Sequence, residues 1–481
     1  MSERNRKELR FGPMFTVMLL GAFMGILNET LLSTALPSIM NDFGLNENKV
    51  QWLTTAFLLT NGVMIPVSAY LIERFSTRAL FLSAIGLFGL GTIVAALSQS
   101  FSMLLLGRVV QAAGSGIMLP LIMTIILTIV PKDRRGRMMG WAGIVISFGP
   151  AIGPTLSGLL LEYFSWRALF LIVVPIVAVV MMLAMIYVKN VTKLTRPKID
   201  ILSIVLSSLG FGGLLYGFSI AGEKGWSSPS VLLFILFGFL TLGVFIWRQL
   251  RLEQPLLQFR VFRYKRFTLS LVITMVVIVS MIGAETLLPL YMQNVRGFSP
   301  LQSGLMLLPG AIVMGIMSPV TGILFDRWGA KKLAVPGLLI VVVTSFLMTN
   351  LSMETSIVYL SSVYCLRMFG LSLAMMPVMT SGLNQIPVQW SAHGSALANT
   401  FQQVSGSIGT AILITVMTMS SQSYTDVQGK GTNGLGELAM IHGYNQAFLF
   451  ATILAIGALV LSLFLNRETA DQTKKNVSET Y

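Results

Sequence analysis

Glu29-Thr30-Leu31-Leu32, set inside the apolar run Phe15 to Pro37, returns as Glu285-Thr286-Leu287-Leu288 inside the run Phe267 to Tyr291. The two copies stand about 256 residues apart, which points to an internal repeat. A charge near the middle of a bilayer costs roughly 2.5 to 3.5 kcal/mol even on lenient insertion scales. A glutamate retained there is a candidate for a proton relay, an ion path or a ligand counter-charge.

The rest of the composition supplies the bilayer. Hydrophobic residues make up 54% of the 481 positions and charged residues 11%, with a mean hydropathy of +0.78, far from a soluble protein. A helix needs about 20 apolar residues to cross hydrocarbon roughly 30 Å thick, and the sequence divides into about fourteen such stretches between short polar loops. An all-α integral membrane protein is expected. The net charge of +14 would suggest nucleic acid in a soluble chain, but its placement excludes that partner. Arg4, Arg6, Lys7 and Arg10, the cluster Lys132, Arg134, Arg135 and Arg137, the loops 189–198 and 248–266, and Arg467, Lys474 and Lys475 fall on one side of a fourteen-helix count. Most of the 33 Lys and Arg lie there. Cytoplasmic loops collect such residues, so both termini are expected in the cytoplasm.

Several chemistries have no residues to carry them. The first apolar run is too long for a cleaved signal and is expected to remain. One cysteine, Cys365, forms no disulfide within the chain, and His393 and His442 lack metal-ligand spacing. No Gly-rich loop ends in Lys-Ser or Lys-Thr to bind a nucleotide. Without a nucleophile–base pair or a metal cluster the chain does not read as an enzyme. No cofactor is expected beyond the proton as coupling ion, so energy has to come from an ion gradient.

The repeat extends further. Ile72-Glu73-Arg74 resembles Phe325-Asp326-Arg327, and Arg108 resembles Arg367, at offsets that agree within a few residues. Two six-helix halves account for most of the length, and the excess falls between them. The expected division is residues 1–188 as the first six-helix bundle, 189–266 as two inserted helices with flanking cytoplasmic loops, and 267–481 as the second bundle with a cytoplasmic tail. The inserted spans, 200–220 and 230–250, contain few polar groups beyond serine and threonine and are expected at the periphery, facing lipid. The polar, Gly-rich segment Ser420 to Gly443 reads as an external loop or short hairpin over an exit.

Ala69 to Arg78 and Gly322 to Lys331 are similar to the loop motif of the major facilitator superfamily, the second copy more closely. Leu105-Leu106-Gly107-Arg108-Val109-Val110-Gln111 resembles its fourth-helix motif. Gly143 with Gly149-Pro150-Ala151-Ile152-Gly153-Pro154-Thr155-Leu156-Ser157-Gly158 resembles the fifth-helix motif of exporters. Trp166-Arg167-Ala168-Leu169-Phe170 and His393 to Thr400 look like segments of the fourteen-helix drug:proton antiporters, which include quaternary-ammonium and lincomycin exporters. The resemblance covers nearly the whole chain and implies the major facilitator fold, two six-helix bundles plus two inserted helices. It also implies that Arg108 takes part in proton transfer. The family's first-helix motif reads Asp, any residue, Thr before Ala-Leu-Pro, whereas here Asn28-Glu29-Thr30 precede Ala35-Leu36-Pro37. The acid has moved by one residue, about 100° around the helix.

Glu29, Glu285 and Arg108 are therefore the proton-coupling candidates. A buried Arg108 needs an acceptor, and Glu29, a helix carbonyl or cavity water could serve; its charge would control when a nearby glutamate binds a proton. Substrate-cavity candidates are Asn28 and Thr30 beside Glu29, Phe57 and Asn61 on one helical face, Gln111 and Met118 beyond Arg108, and Met281 one turn before Glu285. Asn399, Gln402 and Gln403 join them as a polar stripe on an apolar span. Gating candidates are Glu73, Arg74, Asp326 and Arg327, whose charge-assisted bonds can form in one conformation and break in another. Gly149, Pro150, Gly153, Pro154 and Gly158 join this group because they allow close helix approach and bending.

The expected activity is proton-coupled efflux of lipophilic, often cationic, small molecules by alternating access, starting from a cavity open to the cytoplasm or inner leaflet. The chain would act as a monomer in a bacterial inner membrane. A lipid or glycolipid flippase, or an exporter of a specific metabolite, is the alternative on the same fold. A nutrient symporter is disfavoured by the fifth-helix motif.

Overall fold

The computed structural model describes residues 3–32, 35–45, 47–192, 194–195, 200–428 and 435–465. Its helices in chain order are α1 (Glu3–Leu31), α2 (Leu36–Phe43), α3 (Glu47–Arg74), α4 (Thr77–Ala96), α5 (Phe101–Ile129), α6 (Arg135–Tyr163), α7 (Ala168–Leu171) and α8 (Val173–Tyr187). They continue with α9 (Ile201–Lys224), α10 (Pro229–Arg251), α11 (Lys265–Asn294), α12 (Pro300–Trp328), α13 (Ala330–Leu347), α14 (Ile357–Leu383), α15 (Ser391–Gln428) and α16 (Leu435–Leu463). Among the described residues, 13 segments are long and apolar enough to cross a membrane. Helix α6, 29 residues long, adds to these and brings the long helices to the expected number.

Local chemistry starts and stops these helices. Ser100 and Ser76 accept the backbone N–H of Met103 and Ala79 at the starts of α5 and α4. Ser299 and Gln302 form a reciprocal capping box on α12. Prolines inside helices, such as Pro66, Pro120 and Pro319, are carried without ending them, as membrane spans allow when neighbours satisfy the freed carbonyls.

Helices α1, α3–α6 and α8 pack together, and α11–α16 form a second group of like arrangement. The ends of α3, α5, α8, α10, α12 and α14 lie on the face that carries Arg74, Arg134, Arg251 and Arg327, called here the basic end. At the opposite end Asp42 ties α2 to the start of α7. It accepts from Trp166 Nε1 at 3.1 Å and Arg167 Nη1 at 2.9 Å. These bonds, Trp166 first and then Arg167, hold the Asp42 carboxyl below the usual carboxylate range.

Two expectations are corrected. The inserted pair is not wholly peripheral. Helix α10 shows lipid-exposed Leu232, Leu233, Leu236 and Leu240, but α9 wedges between α3 and α15. Its Leu215 fills the space left by Gly62 on α3, and its Tyr216 stacks on Trp52 with centroids 5.5 Å apart. Trp226 Nε1, just beyond α9, donates to Thr415 Oγ1 on α15 at 2.7 Å. The sequence pattern could not separate these cases, because a face turned to lipid and a face turned to another apolar helix have the same composition. The second correction concerns Ser420 to Gly443. It is helix for most of its length, α15 running on to Gln428 and α16 starting at Leu435; residues 429–434 lie outside the described set. Polar residues beyond the bilayer continue a helix without penalty.

Candidate functional site

A cavity of about 730 Å³ lies between the two helix groups. Glu29 and Thr30 from α1 and Glu285 and Thr286 from α11 face it from opposite sides. Asn61 on α3, Met281 on α11 and Asn399, Gln402 and Gln403 on α15 also line it as expected. Pro120 adds an acceptor of another kind: its ring removes the donor that the carbonyl of Gly116 would receive, and both residues line the cavity. The one-residue displacement of the first-helix acid therefore still delivers a carboxyl into the cavity.

Four expected wall residues stand behind the wall instead. Asn28, Phe57, Gln111 and Met118 are at most 2% exposed and do not line the cavity. Three of them hold Arg108. Asn28 Oδ1 accepts a short hydrogen bond from Arg108 Nη1, and Gln111 Oε1 accepts from the same nitrogen at 3.1 Å. Gln111 in turn donates to Thr92 Oγ1 at 2.8 Å. The guanidinium lies 4.1 Å from the centre of the Phe57 ring, a cation–π contact. Among the three acceptors left open by the sequence, carbonyls of Asn28 and Leu53 contribute at 3.4 and 3.5 Å, and the Asn28 amide takes the position expected of Glu29. Glu29 receives the charge of Arg108 through space, not one of its hydrogen bonds. Met118 packs in the apolar core.

Residues that the sequence did not nominate also face the cavity. Leu215, Phe218 and Ser219 come from inserted helix α9. A second, outward groove of about 380 Å³ runs between α3, α9 and α10, lined by Trp52, Tyr216, Phe234 and Phe237, and Leu59 belongs to both.

The cavity is closed at the basic end and reaches the exposed Gln51 at the other, the reverse of the expected opening. Contacts across the halves make the closure, among them these four. Thr124 Oγ1 and Ser395 Oγ share a hydrogen bond of 2.7 Å. Arg135 Nη1 donates to Asn384 Oδ1 at 3.0 Å. His393 Nε2 lies 3.0 Å from Glu73 Oε1. Asp326 accepts the backbone N–H groups of Gly136 at 2.9 Å and Arg137 at 3.0 Å, so its carboxylate caps the N-terminus of α6 from the other half. Two gating candidates thus meet partners the sequence did not show, His393 for Glu73 and the α6 backbone for Asp326. Arg74 and Arg327 end their helices at the same face.

The glycines of α6 allow this approach. A Cβ at Gly136 would meet Asp326 Oδ1, Gly322 O and Phe325 Cδ1, all at 2.5 Å, and one at Gly140 would meet Ser318 O at 2.5 Å. Farther along, Thr30 Oγ1 donates to the Gly149 carbonyl at 3.1 Å, and Gly153 packs on Thr30, so this part of α6 is pressed against α1. Gly158 is looser, with Leu301 3.6 Å from its Cβ position. Helix α6 runs unbroken through Pro150 and Pro154, whose side chains lie outside the described set.

The Major Facilitator Superfamily profile matches residues 18–410. The MFS-type transporter YcnB of Bacillus subtilis is 49% identical over 94% of this chain and 94% of its own length. The lincomycin resistance protein LmrB of Listeria monocytogenes is 43% identical over 96% of this chain and 98% of its own. Among solved structures, the human organic anion transporter MFSD10 superposes with a TM-score of 0.66 at 16% identity, covering 92% of this chain and 99% of that one.

Proposed function

Because the chain belongs to the Major Facilitator Superfamily, we propose that it is a proton-coupled exporter of lipophilic, often cationic, small molecules. It would act as a monomer in a bacterial cell membrane, with the basic end and both termini in the cytoplasm. One observation carries the reading: two half-buried carboxyls, one from each repeat, face one cavity that is closed at one end. Relatives that carry the name lincomycin resistance protein support export of drugs.

In the state described, the cavity faces outward and external protons reach Glu29 and Glu285. Protonation removes both charges and weakens the hold on a cationic ligand, which leaves. The four contacts at the basic end then break, the halves rock, and the cavity opens inward. A new cationic or polarisable ligand there displaces the protons, so coupling is competition for the same carboxyls. A membrane potential of about 150 mV is worth roughly 3.5 kcal/mol per charge moved, equivalent to about a few-hundred-fold gradient. Met281, Phe218 and the amides of α15 suit a loosely specific wall, in which flexible and aromatic side chains adapt while a few polar groups orient the ligand.

The test is efflux of ethidium from loaded vesicles under an imposed pH gradient, comparing wild type with Glu29→Gln, Glu285→Gln and the double variant. Loss of pH-driven efflux at equal expression is expected. Unchanged efflux in all three would reject the mechanism. The flippase reading keeps one observation in its favour, the outer groove that meets the cavity at Leu59 beside lipid-facing α10. Vesicle transport of a labelled lipid, without ethidium efflux, would select it.

A further inference from the structure

The second repeat contains a buried arginine with no role so far. Arg367 on α14 is fully buried, as is Arg108 on α5, and the two occupy matching places in the repeat. Each guanidinium is bonded to the helix that presents its half's glutamate. Arg108 holds Asn28, next to Glu29 on α1. Arg367 Nη2 donates to the Ser280 carbonyl at 2.8 Å and to Ser280 Oγ at 3.0 Å on α11, the helix of Glu285.

The third leg also repeats, with one substitution. In the first half Arg108 reaches Thr92 of α4 through the Gln111 amide. At the equivalent place α14 carries Gly370, so no amide intervenes, and Arg367 Nη1 bonds directly to Ser345 Oγ of α13. Each guanidinium retains one buried nitrogen without a hydrogen-bond acceptor, Nη2 of Arg108 and Nε of Arg367. A buried cation that is short of acceptors needs an anion nearby. The acid that interacts with Arg108 through space is Glu29, and those that interact with Arg367 are Tyr364 and then Glu285.

We propose that Arg367 is the positioning residue of a second carboxylate–arginine unit, Glu285–Arg367, which binds and releases a proton separately from the Glu29–Arg108 unit. The inference rests on the proton-coupled reading above and assigns two exchangeable protons to one cavity. Of the groups facing Glu285 from packed elements, α14 supplies Arg367 and Tyr364. Helix α16 carries Glu437, His442 and Tyr444 near its start, with His442 stacked on Tyr424 of α15 and Tyr444 edge-on against Tyr291. The acids and bases of α12 and α15 among the described residues lie near the helix ends, at Asp326, Arg327, His393 and Asp426. Arg367 is thus the cation within reach of Glu285, and it does not line the cavity, so no ligand touches it.

The experiment is a ligand-free infrared pH titration of the full-length protein in nanodiscs, following the protonated-carboxyl band. Wild type should show two buried carboxyl steps, one removed by Glu29→Gln and the other by Glu285→Gln. Arg367→Gln should displace the Glu285 step by at least about one pH unit, a tenfold change in proton affinity, and leave the Glu29 step in place. Arg367→Lys should restore most of the wild-type position. Should Arg367→Gln fail to fold, Ser280→Ala and Ser345→Ala keep the arginine while loosening it and should move the same step by less. An unmoved Glu285 step, or equal movement of both steps, would overturn the proposal while leaving coupling through Glu29 intact. Absence of both steps in wild type would instead reject proton coupling, and this proposal with it.

Discussion

Gly136→Ala is the smallest change that should push the transporter out of the conformation described. The added methyl would sit 2.5 Å from the Gly322 carbonyl oxygen and from the Asp326 and Phe325 side chains, closer than any carbon tolerates, and although the two side chains can turn away the backbone carbonyl cannot. Helices α6 and α12 would have to part, taking the Asp326 carboxylate from the N–H groups of Gly136 and Arg137. Hydrogen bonds to a charged acceptor are worth about 1.5 to 3 kcal/mol each, and water at the membrane surface returns part of that when they break. A net loss of about 2 to 4 kcal/mol is expected, which lowers the population of this state about 30- to 900-fold relative to one open at the basic end. Spin labels at Phe75→Cys and Trp328→Cys, both exposed at the basic end of opposite halves, would read it by pulsed distance measurement in a Cys365→Ser background. Wild type should give a short distance, Gly136→Ala a longer one, and Asp326→Asn, which keeps the glycine contact but loses the charge, a mixture. An unchanged distribution in Gly136→Ala would refute the claim that this contact holds the basic end closed.

Three further outcomes follow from other contacts. Gly153→Ala should drive α6 away from Thr30 and lower the melting temperature in detergent, overpacking of this kind costing about 1 to 3 kcal/mol; an unchanged melting temperature would contradict the contact. Asp42 is held below the usual carboxylate range, so its tie to Trp166 and Arg167 is at full strength above that range and is lost as pH falls through the lowered value. Asp42→Asn should therefore reduce thermal stability at neutral pH and flatten its fall on the acid side, measured as melting temperature against pH. Phe218→Ala should weaken apparent affinity for aromatic cations about fivefold or more while leaving the number of protons exchanged unchanged; a change in proton number would place Phe218 in coupling rather than in the wall.

The helices were legible because the bilayer imposes a length and a composition on every span, and the repeat because Glu29 and Glu285 are too costly to occur twice by accident. Asn61, Asn399, Gln402 and Gln403 were also legible, since an amide in such a span has few places to go except a cavity. Phe57 and Met118 were not: core, cavity and lipid are all apolar, so an apolar side chain gives no sign of which of them it meets. Asn28 and Gln111 were placed at the right depth but given to substrate, although a fully buried arginine consumes the nearest amides first. The partners Glu73–His393 and Asp326–Gly136 join residues about 320 and 190 apart, and nothing local in sequence announces such pairings.

The two seams between the halves are made of unlike material. On one side α6 and α12 meet backbone to backbone at Gly136 and Gly140; on the other, α9 is laid between α3 and α15 and presents Leu215 and Phe218 inward. A bare joint and a padded joint do not open alike. The padded one is filled by side chains that belong to neither repeat, much as a gasket fills a joint. Exchanging this one insert would therefore change the cavity wall and leave the paired glutamates of both halves untouched.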